Sequence, residues 1–369
     1  MQRRFWKHFD FVLLVSVVVV IGLGVALIYS ATLSTEANEE LTERSFFRQA
    51  VLGASGIVIL VLVSLLDYQI VGSMQWLLYL AAVGILGAVA IGGHTGFGAQ
   101  SWLTLGRAVQ PSELAKVLLI LFLAKFLADH PQQTRSLTGL VLSGAIMLLP
   151  VFLVYRQPDF GSALVFLAIW LGMMFAAGVR LGHLALLGLA SATAAPVLWF
   201  SMKDYMQQRI LVFLFPARDV TGISYNSRQA LISIGSGGWL GKGFLHGTQS
   251  QLYFLRVRHT DYVFSVLCEE LGFVGALFLL ILLFVLFWRI LRAASLARDD
   301  FGRLVCAGVF SMLFFQSAVN IAVNMGLLPV TGLTLPLVSY GGSSLWATLL
   351  ALGLVESVVM RHKKLEFGD

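Results

Sequence analysis

Long apolar runs separated by short polar breaks recur along the whole 369-residue chain. They fall at about 11-31, 46-66, 71-92, 113-129, 138-155, 162-178, 181-201, 273-292, 304-327 and 337-360. Runs of this length cross a hydrocarbon layer about 30 Å thick as helices, and the alternating ten-residue segments of a membrane barrel do not occur. The pattern predicts an all-α integral membrane protein, a bundle of about ten transmembrane helices forming a single polytopic domain over 1-369. A long extracytoplasmic loop, 202-261, joins spans seven and eight. The apolar stretch after Asp261 continues to Arg289, longer than one crossing needs, so a break is expected near Gly272. Tyr262 to Leu271 then forms a short outer helix and places Glu269 and Glu270 at the interface, where carboxylates cost far less than in mid-bilayer.

Composition agrees with this reading. Hydrophobic residues make up 58% and charged residues only 12%, against about 25% charged in soluble domains; the mean hydropathy is +0.86. A net charge of +6 belongs largely to loops that set orientation, and no nucleic-acid motif accompanies it. Cys268 and Cys306 are expected near opposite membrane faces, so no disulfide is implied. Arg3-Arg4-Phe5-Trp6-Lys7 followed by apolar residues imitates a signal peptide, but the run from Phe11 to Ala31 is too long and reads as an uncleaved first span.

Basic residues decide the orientation. Short loops and ends on the N-terminal side hold Arg3, Arg4, Lys7, Lys125, Arg135, Arg180, Arg289, Arg292, Arg298, Arg303, Arg361, Lys363 and Lys364, against Arg44, Arg48, Arg107 and Arg156 on the other. Both termini are therefore expected in the cytoplasm, with Glu36, Glu39, Glu40 and Glu43 outside. No internal repeat is evident, which weakens a secondary-transporter reading.

Arg256-Val257-Arg258-His259-Thr260-Asp261 ends the long loop in a carboxylate just before the chain turns apolar. The same loop carries Arg209, Arg228, Lys242, Arg256 and Arg258, and one acid among several cations at a membrane edge suits an anionic, lipid-linked substrate. Asp261 is the candidate catalytic residue. Gln110-Pro111-Ser112-Glu113-Leu114-Ala115-Lys116 opens the fourth span with a helix-start pattern, and Glu113 and Lys116 share a face as a structural or a functional pair. In Arg156-Gln157-Pro158-Asp159-Phe160-Gly161-Ser162, Asp159 either caps the sixth span or serves the site, and Arg156 beside it is a candidate phosphate ligand. The glycines of Ile234-Gly235-Ser236-Gly237-Gly238-Trp239-Leu240-Gly241-Lys242-Gly243 mark a flexible loop or a backbone cradle for phosphate, without the spacing of a nucleotide P-loop.

Ser339-Tyr340-Gly341-Gly342-Ser343-Ser344, before the tenth span, allows close helix packing. Glu356 is expected to snorkel or to pair near Arg361. Glu113, Lys116, Asp159, Arg209, Arg228, Lys242, Asp261 and Ser339 all map to the outer half, and no comparable set is expected in the inner half. Such asymmetry favours chemistry at one face over transport.

Several of these stretches together resemble the SEDS family (shape, elongation, division and sporulation), over nearly the whole chain. The carriers are Gln110-Pro111-Ser112-Glu113 with Lys116, Gln157-Pro158-Asp159 with Gly161, Ile234-Gly235-Ser236-Gly237-Gly238, His259-Thr260-Asp261 with Glu269-Glu270-Leu271-Gly272, and Pro336-Leu337-Val338-Ser339-Tyr340-Gly341-Gly342. His246-Gly247-Thr248-Gln249 points to the elongation branch. The resemblance implies a ten-span bundle in the bacterial cytoplasmic membrane that polymerises lipid II into glycan strands. It also implies a class B penicillin-binding protein as transpeptidase partner within the elongation complex, and Asp261 as the essential acid. Arg256-Val257 stands where the family usually has Pro-Glu, and Ser101 where it usually has Arg before Trp102.

The implied reaction has an acceptor hydroxyl attack the anomeric carbon of a donor on undecaprenyl pyrophosphate. Pyrophosphate leaves readily, so one carboxylate acting as base suffices and the donor carbon is inverted. Asp261 would accept the proton of the 4-hydroxyl of GlcNAc, with Lys116, Arg209 and Arg228 facing the pyrophosphate. Alternatively Asp261 and Asp159 hold a divalent cation, Mg²⁺ or Mn²⁺, that bridges it. A lipid II flippase and a non-catalytic scaffold that activates the penicillin-binding protein are the rival readings.

Overall fold

The structure, a computed structural model, describes residues 8-33, 39-92, 94-96, 99-102, 110-134, 136-215, 219, 222, 224-252, 254-255 and 257-362; of 92-102, 133-134, 195 and 197-198 only the backbone is described. Arg3, Arg4, Lys7, Glu36, Arg107, Arg135, Arg256, Lys363 and Lys364, and the side chain of Ser101, lie outside the described set.

In chain order the elements are α1 (Phe11–Thr32), α2 (Ser45–Leu65), α3 (Tyr68–Ser73), α4 (Gln75–Gly92), a hairpin of β1 (His94–Gly96) and β2 (Ala99–Trp102), α5 (Pro111–Asp129), α6 (Pro131–Thr134), α7 (Leu137–Arg156), α8 (Phe160–Ala176) and α9 (Leu181–Ser201). The long connecting segment holds α10 (Asp204–Leu214), α11 (Ser224–Gly237) and α12 (Thr248–Gln251), and α13 (Val263–Leu296), α14 (Asp300–Asn324) and α15 (Gly342–Met360) complete the chain. The bundle is all-α, with the antiparallel hairpin the one strand pair among the described residues. Six helices, α1, α2, α7, α13, α14 and α15, are long and apolar enough to cross a membrane, and α4, α8 and α9 are shorter apolar helices.

Polar breaks supply the caps. Asp10, Ser136, Asp159 and Asp299 accept the amides of Leu13, Gly139, Ser162 and Gly302 and so start α1, α7, α8 and α14, each side chain satisfying one of the orphan donors of a helix N-terminus. The centre is built from α5, α14 and α15, whose side chains are mostly buried. Peripheral helices turn Leu62, Leu77, Leu80, Leu148, Phe152 and Leu189 outward, as a lipid-facing surface requires. Cys268 and Cys306 are buried free thiols.

Gly272 interrupts α13 with φ 66° and ψ −161°. Backbone groups orphaned by that break are taken up by the glycine-rich segment: Lys242 N donates to Glu269 O at 2.9 Å and Gly243 N to Glu270 O at 3.0 Å, while Gly238 O and Trp239 O accept from Phe273 N (2.9 Å) and Val274 N (3.1 Å). A Cβ at Gly241 would lie 2.1 Å from Glu270 O. A Cβ at Gly237 would likewise lie 1.9 Å from Cys268 O, so Gly237 and Gly241 serve close approach to α13.

The end of the bundle away from Asp261 is also polar, contrary to expectation. Asp10 pairs with Arg289, and its backbone amide donates to Glu356. Arg361 donates to Ser64 O and Ser357 O, and Glu356 accepts the Asp10 amide. Tyr68 and Gln69 both donate to Asp299 at 2.8 Å. These groups cap and tie helix ends to one another, a demand that hydrocarbon imposes on any helix terminus buried near it.

Candidate active site

Asp261 immediately precedes Tyr262, the N-cap of α13, and its main chain is held carbonyl by carbonyl. His259 O accepts from Tyr340 N at 2.9 Å, and Thr260 O accepts from the Ser339 hydroxyl at 2.5 Å. Asp261 O accepts from two carboxamides, Asn320 Nδ2 at 3.0 Å and Asn324 Nδ2 at 2.9 Å. Arg258, itself buried, donates to Ala31 O at the end of α1. The backbone is thus fixed from α1, α14 and the segment before α15, while the Asp261 side chain remains half-buried. Burial pushes its carboxyl up to about 6, tempered by a hydrogen bond from Thr260 and by the charge of Arg209. An acid of this kind changes protonation near neutral pH, as a general base should.

Arg209 belongs to α10, an amphipathic helix beside the site. Its guanidinium lies 5.7 Å from the Tyr205 ring centroid and donates to Val330 O at 3.3 Å. With Phe160, Met202, Met206, Pro329 and Thr331 it lines a small recess of about 20 Å³, apolar in its walls and cationic at Arg209. The Tyr205 hydroxyl donates to Pro158 O at 2.8 Å, which brings α10 against the turn that carries Asp159. Asp159 caps α8 through Ser162 N at 2.9 Å and accepts from Gln110 Nε2 at 3.2 Å. The start of α5, the start of α8, α10 and Asp261 therefore form one neighbourhood.

Other predicted residues take different places. Lys116 Nζ lies 2.8 Å from Glu113 Oε1, with the lysine side chain wholly inaccessible. Being inaccessible, it cannot meet a pyrophosphate in this arrangement, and the pair braces the beginning of α5. Lys242 is 2.8 Å from both Glu269 Oε1 and Thr248 Oγ1 and anchors the long loop to α13. Ser339 acts on the Thr260 carbonyl and also accepts Leu335 N at 2.9 Å. Arg228 is exposed on α11, next to Ser227, whose hydroxyl is 3.3 Å from that of Tyr262.

Sequence reasoning missed Asn320 and Asn324. Two carboxamides four residues apart on one face of an apolar helix were visible in the chain, and polar groups in hydrocarbon are costly enough to signal a role.

The chain matches the family described as Cell cycle protein over residues 11–364. It belongs to that family, the SEDS family. Among relatives within the family, the peptidoglycan glycosyltransferase MrdB of Escherichia coli (strain K12) is 37% identical over 99% of this chain and 97% of its own. The peptidoglycan glycosyltransferase RodA of Treponema pallidum is 31% identical, covering 98% of this chain and 100% of the relative. A chain from a solved peptidoglycan synthase complex, described as coordinating polymerization and crosslinking, superposes with a TM-score of 0.80 at 35% identity and covers 96% of this chain and 97% of that one. The crystal structure of the rod shape determining protein RodA of Thermus thermophilus gives 0.71 at 34% identity, covering 96% and 98%.

Both Asp159 oxygens already accept protein donors, and no group of three or more His, Cys, Asp or Glu is placed to hold a metal among the described residues.

Proposed function

We propose that this family member is a peptidoglycan glycosyltransferase that polymerises lipid II into glycan strands during elongation, with Asp261 as general base. The observation that carries the reading is the Asp261 carboxylate itself: half-buried, raised toward neutrality, and fixed through its backbone beside the cation of Arg209. The names of its relatives, peptidoglycan glycosyltransferases at 37% and 31% identity, support the same activity.

Asp261 removes the proton from the acceptor 4-hydroxyl as that oxygen attacks the donor's anomeric carbon; the pyrophosphate departs with the bonding pair, and the carbon inverts. Arg209 and Arg228 face the departing charge, which oriented cations stabilise most when water is scarce. Asp159 with Gln110, and Glu113 with Lys116, shape the same side of the site, and Ser339 holds the acid's loop. The chain crosses the bacterial cytoplasmic membrane about ten times with both termini in the cytoplasm, and its partner is a class B penicillin-binding protein that crosslinks the product. The synthase complex named above is consistent with such a partner.

The deciding experiment is lipid II polymerisation by the purified protein with its cognate penicillin-binding protein, wild type against Asp261→Asn. Loss of polymer with folding and partner binding intact is expected. Unchanged polymer would reject the base assignment and favour the flippase or the scaffold. Loss of wild-type polymer in chelator, restored by Mg²⁺ or Mn²⁺, would make Asp261 a ligand of a substrate-borne cation instead.

A further inference from the structure

Asn320 and Asn324 are 1% and 0% exposed and stand one turn apart on the inward face of α14. Both donate to the same acceptor, the Asp261 carbonyl. A carbonyl has two lone pairs, so this one is saturated from a single rigid helix. Each amide also does a second thing. Asn320 Nδ2 is 2.7 Å from Leu333 O, in the segment whose Thr331 carbonyl would meet a Cβ on Gly161 at 2.6 Å; it thereby links the acid to the turn of Asp159. Asn324 Oδ1 accepts Ser265 N at 3.1 Å and the Ser265 hydroxyl at 2.7 Å. Tyr262, the N-cap of α13, offers no side-chain cap of its own. Asn324 therefore supplies, from another helix, the acceptor that an N-cap side chain normally provides, and fixes the direction of α13 at the residue after the acid.

We infer that Asn320 and Asn324 are positioning residues for the Asp261 carboxylate, setting where it meets the acceptor hydroxyl; the inference rests on the reading of Asp261 as general base. With the His259, Thr260 and Asp261 carbonyls all held, only the side-chain torsions of Asp261 stay free. The groups acting on its carboxyl are Thr260 in the same loop and Arg209 on α10, with Tyr262 next in the chain feeling its charge. A loosened clamp admits water and displaces the base, and a displacement of about 1 Å can cost on the order of 100-fold in rate.

Asn324→Asp is the diagnostic change, since it keeps the acceptor for Ser265 and deletes the donor to Asp261. It is compared with Asn320→Ala, Asn320→Ser and Asp261→Asn in the lipid II polymerisation assay, in complex with the penicillin-binding protein, as a function of pH and substrate, with thermal unfolding followed in parallel. In variants that fold and bind the partner, kcat is expected to fall about 10- to 100-fold with KM little changed; in the uncharged Asn320→Ala and Asn320→Ser the midpoint of the acid limb moves down toward an ordinary carboxylate, whereas the carboxyl added by Asn324→Asp opposes that shift. Wild-type kcat and an unmoved acid limb, with only the unfolding temperature lowered, would overturn the inference, as would failure of every Asn variant to fold. An active Asp261→Asn would sink the base reading instead, whereas an inactive Asp261→Asn beside unaffected Asn variants would sink this inference alone.

Discussion

Lys116 and Glu113 form a 2.8 Å ion pair one turn apart at the start of α5, with the lysine side chain inaccessible and the glutamate 9% exposed. Removing one member leaves the other charge buried and uncompensated. Glu113→Gln or Lys116→Met should each destabilise by about 3–5 kcal/mol, and the double variant should recover most of that loss. Thermal unfolding in detergent reads this directly. Polymerisation that stays absent in a restabilised double variant would assign the pair a role toward substrate beyond bracing α5.

The raised carboxyl of Asp261 predicts an acid limb. A base acts only when deprotonated, so kcat/KM should rise tenfold per pH unit up to about 6 and level off above it. The stability term has the opposite sense. Because the folded-state value lies above the usual carboxylate range, the folded protein binds the proton more tightly. This group's contribution to stability is full at low pH and is lost as pH rises from about 4 through about 6. Melting curves across that window should show a steeper fall with pH in wild type than in Asp261→Asn.

Lys242→Ala removes the cation from Glu269, whose side chain is completely buried. Thr248 and Gln249 N remain as partners, so the cost should be about 1–3 kcal/mol, that of a weakened buried polar group. The long loop between α9 and α13 should be cut faster in limited proteolysis. A large loss of kcat/KM with unchanged proteolysis would instead make Lys242 a substrate ligand.

Gly272→Ala should fail to accumulate folded protein. The conformation at Gly272 belongs almost only to glycine and costs another residue about 1–3 kcal/mol. An added Cβ would in addition lie 2.3 Å from Gly241 N. Size-exclusion profiles in detergent, with Gly235→Ala as a control whose Cβ meets nothing within 4 Å, give the comparison.

Much of the site was legible in the chain. Asp261 stood out because an acid at the mouth of an apolar run, among several arginines, has few structural excuses. Asp159 and Glu113 were marked by helix-start chemistry, and the break in α13 by a run too long for one crossing with a glycine inside it. The Glu113–Lys116 pair was read as structural or functional, while Lys242 and Ser339 were found without their partners. A cation distant in sequence from any acid has a charge and no partner; only the fold brings Glu269 to Lys242 and turns Ser339 toward the Thr260 carbonyl.

By itself the sequence determined the class of the protein, because the length and polarity of its runs leave helices in lipid as the one way to satisfy the backbone, and it marked the acid through the cost of placing charge at that boundary. The tertiary structure alone decided what surrounds that acid. Asn320 and Asn324 lie some sixty residues beyond Asp261 (|i−j| of 59 and 63), and hydrogen bonds between groups so far apart follow from how α13 and α14 cross, which periodicity along either helix does not encode.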